Sequence, residues 1–408
     1  DAKMPGMLFA LGCIVYAFYG HPTPEQPGPP EILIGICLIG SALYARAPLK
    51  LAALMRGGSA PSWAQTGLVF LLFVLTLPLL RGVFLDHSFL AMSRDLTALL
   101  FWMMPLLFLR QPDRHAFRDA VIFATCCIGL VFSFRFVHAL IDLTGGVNIA
   151  PAHPDIPLEL INVPSVLFAS LYLTGLAMIS LQYGVYGKIR AVFLFTLALL
   201  PTVAGIAALQ RANLGAFFIL CGTLIVIQMI LPPKRAVWGI FILLGGCYIF
   251  LPLITDVVHL MLEKTRLVGF NMRFEEAEAI IAQMNTIPAG HSLGLGIGAD
   301  FVSPAAGYSE INYTHNYFLT LWLKSGIPGL IIGGLYVFLI LKPVLTRPVT
   351  APEKQKSLVL AMSVALPVLI NIFLYANHKS FDFGILLLLA TLHPAHGFRR
   401  RADGEPLA

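Results

Sequence analysis

Residues 315–341 read HNYFLTLWLKSGIPGLIIGGLYVFLIL, which is a long apolar run. Among the lysine, arginine, aspartate and glutamate residues of the chain, this run contains Lys324 alone. About 20 predominantly apolar residues suffice for a helix to cross a bilayer, and this run is longer. The whole chain is similar, because 58% of its 408 residues are hydrophobic, 12% are charged, and the mean hydropathy is +0.82. A water-soluble fold of this size could not bury that much apolar surface. The composition therefore excludes a cytosolic enzyme, a secreted domain and a disordered chain, and it predicts a polytopic membrane protein.

The long apolar runs indicate helices, because the strands of a membrane barrel alternate apolar and polar residues. We therefore predict an all-α fold with about twelve transmembrane helices, at residues 4–19, 32–48, 66–81, 95–109, 117–141, 162–183, 190–209, 212–231, 236–255, 315–341, 357–376 and 380–396. The predicted organisation is nine helices within residues 1–255, a large loop at 256–314, three helices within 315–396 and a tail at 397–408.

The connectors between these helices alternate in charge. One set carries 18 of the 27 lysine and arginine residues, and the positive-inside rule places that set in the cytoplasm. Both termini are then cytoplasmic, and the loop at 256–314 is extracytoplasmic. The net charge of +6 is scattered between apolar runs rather than gathered in a patch, so nucleic acid is not an expected partner.

The distribution of helices is asymmetric, with one long loop after nine helices and no internal repeat. A carrier usually has two similar halves, so the asymmetry favours a membrane enzyme whose chemistry takes place on the outer side. The six cysteines all lie in apolar runs without a metal-ligand spacing, which predicts packing roles for them.

Nine basic residues fall outside the cytoplasmic set. A charge inside a span or at its outer rim is costly, which makes each a candidate for function. Arg211 lies in the nearly apolar hairpin between the seventh and eighth predicted spans, and the alternative for it is an arginine that reaches the headgroups. The nine residues are Arg81, Arg94, Arg135, Arg211, Lys264, Arg266, Arg273, Lys324 and Lys379.

The large loop opens with Arg266 and Arg273 and continues as a predicted amphipathic helix at residues 273–284. Its apolar face is expected to lie in the membrane interface and to contain Phe274, Ala277, Ile280, Ile281 and Met284. The acidic residues Glu275, Glu276 and Glu278 are interpreted as the solvated face of this helix, with metal ligation as the alternative. The glycines of Gly294–Ala299 follow no predicted strand, so we expect a tight turn rather than a dinucleotide site.

His315 begins the tenth predicted span at its outer rim, where an imidazole can take up a proton near neutral pH. The alternative is a hydrogen-bonded interface residue without a chemical role. Arginine binds phosphate oxygens in a bidentate manner, and the outward arginines Arg211, Arg266 and Arg273 are expected on the same side as His315. A histidine base with several arginines and no metal cluster indicates displacement of a phosphate leaving group by a hydroxyl.

These motifs together resemble the O-antigen ligase and O-antigen polymerase superfamily. The resemblance covers residues 205–335: the arginine of Gln210-Arg211, Arg273 before an acidic helix, the glycines Gly294, Gly296 and Gly298, and His315-Asn316 followed by Gly326-Ile-Pro-Gly329. Some members carry two threonines after the last glycine, whereas this chain has Leu330-Ile331. The subgroup is therefore less well defined than the superfamily.

The resemblance implies a bacterial inner-membrane, inverting glycosyltransferase of the GT-C type with a periplasmic active site and neither metal nor cofactor. Its implied partners are a glycan donor on undecaprenyl pyrophosphate, a lipid A-core acceptor and membrane lipids. Arg211 and Arg273 would bind the donor pyrophosphate and His315 would receive the proton of the acceptor hydroxyl. Further candidates for substrate contacts are Arg266, Gln210, Asn316, Arg135, His138, Arg81 and Lys264.

Other interpretations remain open at this point. An O-antigen polymerase would use the same residues with a second lipid-linked repeat unit as acceptor. A flippase for lipid-linked glycans would place its basic residues along a central cavity instead of at one rim. A purely structural membrane protein would have no use for arginines on the outer side.

Overall fold

The computed structural model describes residues 3–22, 28–109, 113–144, 158–230, 272–346 and 354–393, together with residues 255, 259, 262 and 263. It is helical apart from one small hairpin among these residues, which agrees with the predicted all-α class. The helices are α1 Met4–Tyr19, α2 Pro29–Tyr44, α3 Ala47–Met55, α4 Ser62–Val74, α5 Leu77–Phe84, α6 Phe89–Trp102, α7 Met104–Leu107, α8 Arg114–Thr144, α9 Leu158–Asn162, α10 Pro164–Ser180, α11 Val185–Ala207, α12 Arg211–Ile230, α13 Arg273–Asn285, α14 Gly290–Leu293, α15 Tyr317–Thr346, α16 Lys354–Phe373 and α17 Phe381–Leu392.

Several of these helices are long and apolar enough to cross a membrane. Within the described residues there are five, or six if the bent pair α2 and α3 counts as one span. The five are Ser62–Phe84, Arg114–Ile141, Val185–Ala207, Tyr317–Thr346 and Gln355–Phe373, and shorter apolar helices lie at four further predicted positions. The ninth predicted span, 236–255, falls almost entirely outside the described residues. The structure therefore fits a multi-pass membrane protein, and the total of twelve spans stays a prediction.

The chain divides into two units. Residues 1–124, 270–348 and 368–408 form the first, and residues 125–269 and 349–367 form the second. In the second unit α10 is almost completely buried, and Ser170 of α10 hydrogen-bonds Thr202 of α11 at 2.7 Å. A glycine at position 129 lets α8 approach α10 closely, because a Cβ there would lie 2.6 Å from Ala169 Cβ.

A glycine segment at residues 294–298 lies between α5 and α15 in the first unit. Leu295 N donates to Leu323 O at 2.7 Å, and Ile297 N donates to Pro78 O at 2.9 Å, so the segment is bonded to both helices. Its three glycines all have positive φ, between 74° and 90°. These angles explain the glycines and agree with the turn expected there. The helix α15 is itself interrupted at Gly326, where φ is 63° and ψ is −164°.

The segment from α13 to the start of α15 packs on its own small core. Strands β1 Phe301–Ser303 and β2 Ser309–Ile311 pair antiparallel, with Val302 opposite Glu310. Helix α13 contributes Ile280 and Met284, which pack against Leu295, Ala299, Phe301 and Leu323.

The predicted helix at 273–284 is confirmed within one residue, and Ile280 and Met284 of its predicted apolar face are buried within the protein. The placement of this face in the membrane interface stays a prediction. Phe274 is 71% exposed and Ile281 is 38% exposed. The buried row is Glu276, Ile280 and Met284, spaced four residues apart. Glu276 belongs to the buried row because α13 packs on the glycine segment and on β1. A local pattern of apolar residues gives no information on where those two segments lie.

Candidate active site

Glu276 is the centre of the candidate site. Its carboxylate is 1% exposed and accepts three hydrogen bonds: from the Ser303 hydroxyl at 3.0 Å, from the His315 backbone nitrogen at 3.1 Å and from His315 Nδ1 at 3.1 Å. The prediction that Glu276 lies on a solvated face is therefore wrong, whereas Glu275 and Glu278 are exposed as expected. The buried carboxylate joins the helix α13, the strand β1 and the start of α15 at one point.

The contact with Glu276 fixes the orientation of His315. A carboxylate only accepts, so Nδ1 carries a proton, and the neutral form of the imidazole then has its lone pair on Nε2. The His315 side chain is 31% exposed, which leaves it within reach of a substrate. A histidine whose Nδ1–H is held by a carboxylate is the arrangement that enzymes use for a general base.

The carboxyl group of Glu276 is held in its ionised form. Burial acts to raise its pKa, but the hydrogen bonds and charge of His315 and the hydrogen bond of Ser303 outweigh that effect. The net result is a pKa below the usual value for glutamate. An ionised Glu276 would stabilise the imidazolium that forms when His315 takes up a proton.

The residues before His315 are held by buried groups of their own. Thr314 N donates to the Thr320 hydroxyl at 3.2 Å, and the two hydroxyls lie 3.1 Å apart. Lys324 Nζ and Lys379 Nζ lie 5.4 Å and 5.1 Å from the centre of the Tyr313 ring. The backbone that leads into His315 is thus held by hydrogen bonds at Thr314 and by the two lysines at the Tyr313 ring.

His378 forms part of this support. It is fully buried, its Nε2 lies 3.1 Å from the Thr320 hydroxyl, and its carbonyl accepts from Trp102 Nε1 at 2.6 Å. Burial is the main cause that lowers the pKa of His378 to about 3. The imidazole is therefore neutral at physiological pH, and it acts as a hydrogen-bonded core residue.

Asn316 has a structural function at the start of α15. Its Oδ1 accepts from Phe318 N at 2.9 Å and from Leu319 N at 3.2 Å, which caps the helix. The predicted substrate contact of Asn316 is untested by this arrangement.

Arg81 also holds the protein's own backbone. Its Nε donates to Gly294 O and its Nη2 donates to Pro288 O, both at 2.6 Å. These bonds fasten the segment between α13 and the glycines to α5. Binding of substrate by Arg81 stays a prediction beside this observed role.

Arg273 is the first residue of α13 and is partly buried. It precedes Glu276 by three residues, so the two side chains start about 5–6 Å apart on neighbouring positions of the helix surface. The first unit therefore contains two of the three residues predicted to be catalytic, Arg273 and His315, and Glu276 follows the first by three positions and hydrogen-bonds the second.

Four other predicted site residues, Arg135, His138, Gln210 and Arg211, lie in the second unit. Arg211 is the first residue of α12, and the preceding Gln210 donates through Nε2 to Asn162 Oδ1 and accepts from Asn213 Nδ2. The Arg135 guanidinium lies 5.3 Å from the Phe132 ring, and the His138 ring is exposed beside Phe134. Lys264 and Arg266 lie outside the described residues.

A buried ion pair close to this site was not predicted. Lys324 Nζ lies 2.6 Å from Asp95 Oδ2, and their side chains are 7% and 3% exposed. Lys324 is a candidate functional residue in the sequence because a charge inside an apolar run is costly. Its partner Asp95 lies 229 positions away on α6, so the pair itself could not be predicted. The sequence signal for a buried Glu276 is its position four residues before Ile280 and eight before Met284, which places the three side chains on one face of the helix.

Within the part of the chain that the structure describes, no three His, Cys, Asp or Glu side chains converge as metal ligands. The expectation of metal-independent chemistry is a separate matter and stays a prediction. The chain matches no protein-family profile, and none of the curated proteins compared with it matches either.

Proposed function

We propose that this protein is an O-antigen ligase, a glycosyltransferase that moves a glycan from undecaprenyl pyrophosphate to a hydroxyl of the lipid A-core oligosaccharide. The observation that carries the proposal is the hydrogen bond from His315 Nδ1 to the buried Glu276 carboxylate at 3.1 Å. It presents Nε2 as a base in a protein whose helices fit a membrane. The family resemblance of residues 205–335 supplies the substrate class.

The proposed reaction is an inverting displacement at the anomeric carbon of the donor glycan. The acceptor oxygen forms a bond to that carbon as the bond to the pyrophosphate oxygen breaks. The electron pair of the broken bond leaves with undecaprenyl pyrophosphate, and the proton of the hydroxyl passes to His315 Nε2. Glu276 stabilises the imidazolium by its charge, as the carboxylate does in other His–carboxylate pairs.

Cationic side chains would stabilise the departing pyrophosphate. Arg273 supports this role, because it lies on the helix of Glu276 and one turn before it. Arg211 and Arg266 are proposed to share the role, and Arg135, His138, Gln210 and Lys264 to contact the lipid-linked glycan. The proposed setting is the bacterial inner membrane, with the site on the periplasmic side.

Glycan transfer by purified protein in lipid nanodiscs tests the proposal. The assay contains undecaprenyl-pyrophosphate glycan, lipid A-core and excess chelator. We expect wild type to extend lipid A-core and release undecaprenyl pyrophosphate. Loss of the base in His315→Ala should lower kcat by about 10²–10⁴-fold. Glu276→Gln should lower kcat by roughly 10–10³-fold, since orientation and charge stabilisation are weakened but the imidazole is retained.

Glu275→Gln is the matched control, because it removes an exposed carboxylate from the neighbouring position and should leave kcat unchanged. Lengthening of the donor glycan without use of lipid A-core would identify a polymerase instead. Movement of intact donor between leaflets without bond formation would show a transporter. Full activity of His315→Ala would contradict the proposed mechanism.

A further inference from the structure

A cavity with about 20 Å³ of space for water lies beside Tyr313 in the first unit. Its polar walls are Asp95, Tyr313, Thr320, Lys324 and Ser325, and the remaining walls are apolar. A cavity needs roughly 10–15 Å³ of such space and two to four polar partners to hold one ordered water. This cavity meets both conditions and is too small for a sugar or a phosphate.

One wall of the cavity carries an unsatisfied acceptor. The Asp95 side chain is 3% exposed, and its Oδ2 lies 2.6 Å from both Lys324 Nζ and Gly298 N. Its Oδ1 is buried and has no hydrogen-bond partner among the described residues. A buried carboxylate oxygen without a partner is costly, so a water that donates to it stabilises the fold. The positive charge of Lys324 already balances the carboxylate, which disfavours a metal cation as the occupant.

We propose that one ordered water occupies this cavity, donates to Asp95 Oδ1 and hydrogen-bonds the hydroxyl groups of Tyr313 and Thr320. Tyr313 and Thr320 are both tied to the backbone of His315. Tyr313 precedes His315 by two residues, and the Thr320 hydroxyl accepts from Thr314 N at 3.2 Å. Asp95 and Tyr313 are accordingly positioning residues for His315. The link to catalysis rests on the proposed function, whereas the water site does not.

The protonation of Tyr313 is consistent with this arrangement. Burial and, after it, the negative charge of Asp95 raise the pKa of Tyr313 well above its usual value. The phenol therefore keeps its proton and serves as a donor in the network at any physiological pH.

High-resolution cryo-electron microscopy of the full chain in nanodiscs tests the water directly. We expect one density peak within hydrogen-bond distance of Asp95 Oδ1 in wild type. Tyr313→Phe removes one hydroxyl and keeps the ring beside Lys324 and Lys379, so the peak should be lost or displaced. Tyr308→Phe, at a residue that is 70% exposed in the same loop, should leave it unchanged. A cavity without density in wild type would overturn the water site.

Solid-state ¹⁵N NMR of histidine-labelled protein tests the positioning separately. The His315 signals, assigned by their loss in His315→Gln, should show a protonated Nδ1 in wild type and shift in Tyr313→Phe but not in Tyr308→Phe. In the transfer assay Tyr313→Phe should lower kcat on the order of tenfold, with KM within about twofold. Unchanged His315 signals in Tyr313→Phe would overturn the positioning role. If wild type transfers no glycan, the proposed function fails, and the density and the NMR signals still decide this inference.

Discussion

The buried imidazole of His378 gives the protein an acid-sensitive element close to the candidate base. Its pKa is about 3 in the folded protein and 6.5 in an unfolded chain. Between these values the unfolded chain binds a proton that the folded protein does not bind. Stability therefore falls as the pH falls from 6.5 towards 3, by up to about 1.4 kcal/mol per pH unit. We expect the thermal unfolding temperature of wild type to decrease over this range, measured in detergent at fixed ionic strength.

The variant His378→Asn isolates this contribution. It lacks the titrating ring, so its unfolding temperature should depend less steeply on pH below 6.5 even if its stability at pH 7 is lower. Glu276 adds acid sensitivity in both proteins, because its lowered pKa contributes stability that is lost as the carboxylate is protonated. The control is His115→Asn, at an exposed histidine of α8. Equal pH slopes for wild type and His378→Asn would contradict the assignment of a neutral, buried His378.

Single residues show what the sequence could and could not predict about the site. His315 and Arg273 could be predicted from the sequence. A polar or charged side chain at the predicted rim of a span is costly however the rest of the chain folds. The pattern of apolar residues predicts a solvated position for Glu276, because it takes no account of a carboxylate that is buried with hydrogen-bond partners. Its partner His315 is 39 positions away, and the strand that carries Ser303 has only three residues. Contacts over such separations depend on how the loop returns to α15, which no local periodicity encodes.

At the scale of secondary-structure elements, the glycine segment at 294–298 depends on its residue type for its packing against α5. A Cβ at Gly296 would lie 2.8 Å from Gly82 Cα and closer still to Gly82 N, and its φ is 90°. Gly307 also has positive φ, 66°, but nothing lies within 4 Å of a Cβ there. We expect Gly296→Ala to destabilise the protein by roughly 3 kcal/mol and Gly307→Ala by about 1 kcal/mol, because only the first adds overpacking to backbone strain.

Chemical denaturation in mixed micelles, followed by tryptophan fluorescence, measures this difference. A further variant, Gly57→Ala, serves as a second control, since Gly57 has φ of 79° and open space around it. If all three variants lost the same stability, the close approach of the glycine segment to α5 would be wrong.

The elements themselves were largely predictable, and their interruptions were not. Helix α13 agrees with the predicted 273–284, and α12 agrees with 212–231. The predicted span 66–81 is divided at Leu75 and Thr76, and α15 is interrupted at Gly326. Apolar length identifies a helix that must cross lipid, but an interruption depends on which backbone approaches it. At Gly326 that backbone is Ser292 to Gly294, which approaches from a distant part of the sequence.

For the whole molecule, the orientation in the membrane is the prediction on which the proposed function depends most. A base at His315 can meet an acceptor on the outer surface only if the loop at 256–314 is outside. The predicted orientation places two exposed tyrosines on opposite sides of the membrane. Tyr308, 70% exposed, lies in that loop, and Tyr186, 90% exposed, lies beside the basic residues Lys188 and Arg190.

Labelling of Tyr308→Cys and Tyr186→Cys with a membrane-impermeant maleimide measures this orientation in intact spheroplasts. By the positive-inside rule, Tyr308→Cys should react at once and Tyr186→Cys only after the membrane is permeabilised. The parent protein is the control for the native cysteines, of which Cys13, Cys37, Cys126 and Cys221 are buried. If both variants reacted from outside, the two positions would lie on the same side of the membrane. The predicted odd number of spans between them would then be wrong. If Tyr186→Cys alone reacted from outside, the orientation would be opposite to the predicted one. His315 would then face the cytoplasm, and a lipid A-core acceptor on the outer surface could not reach it.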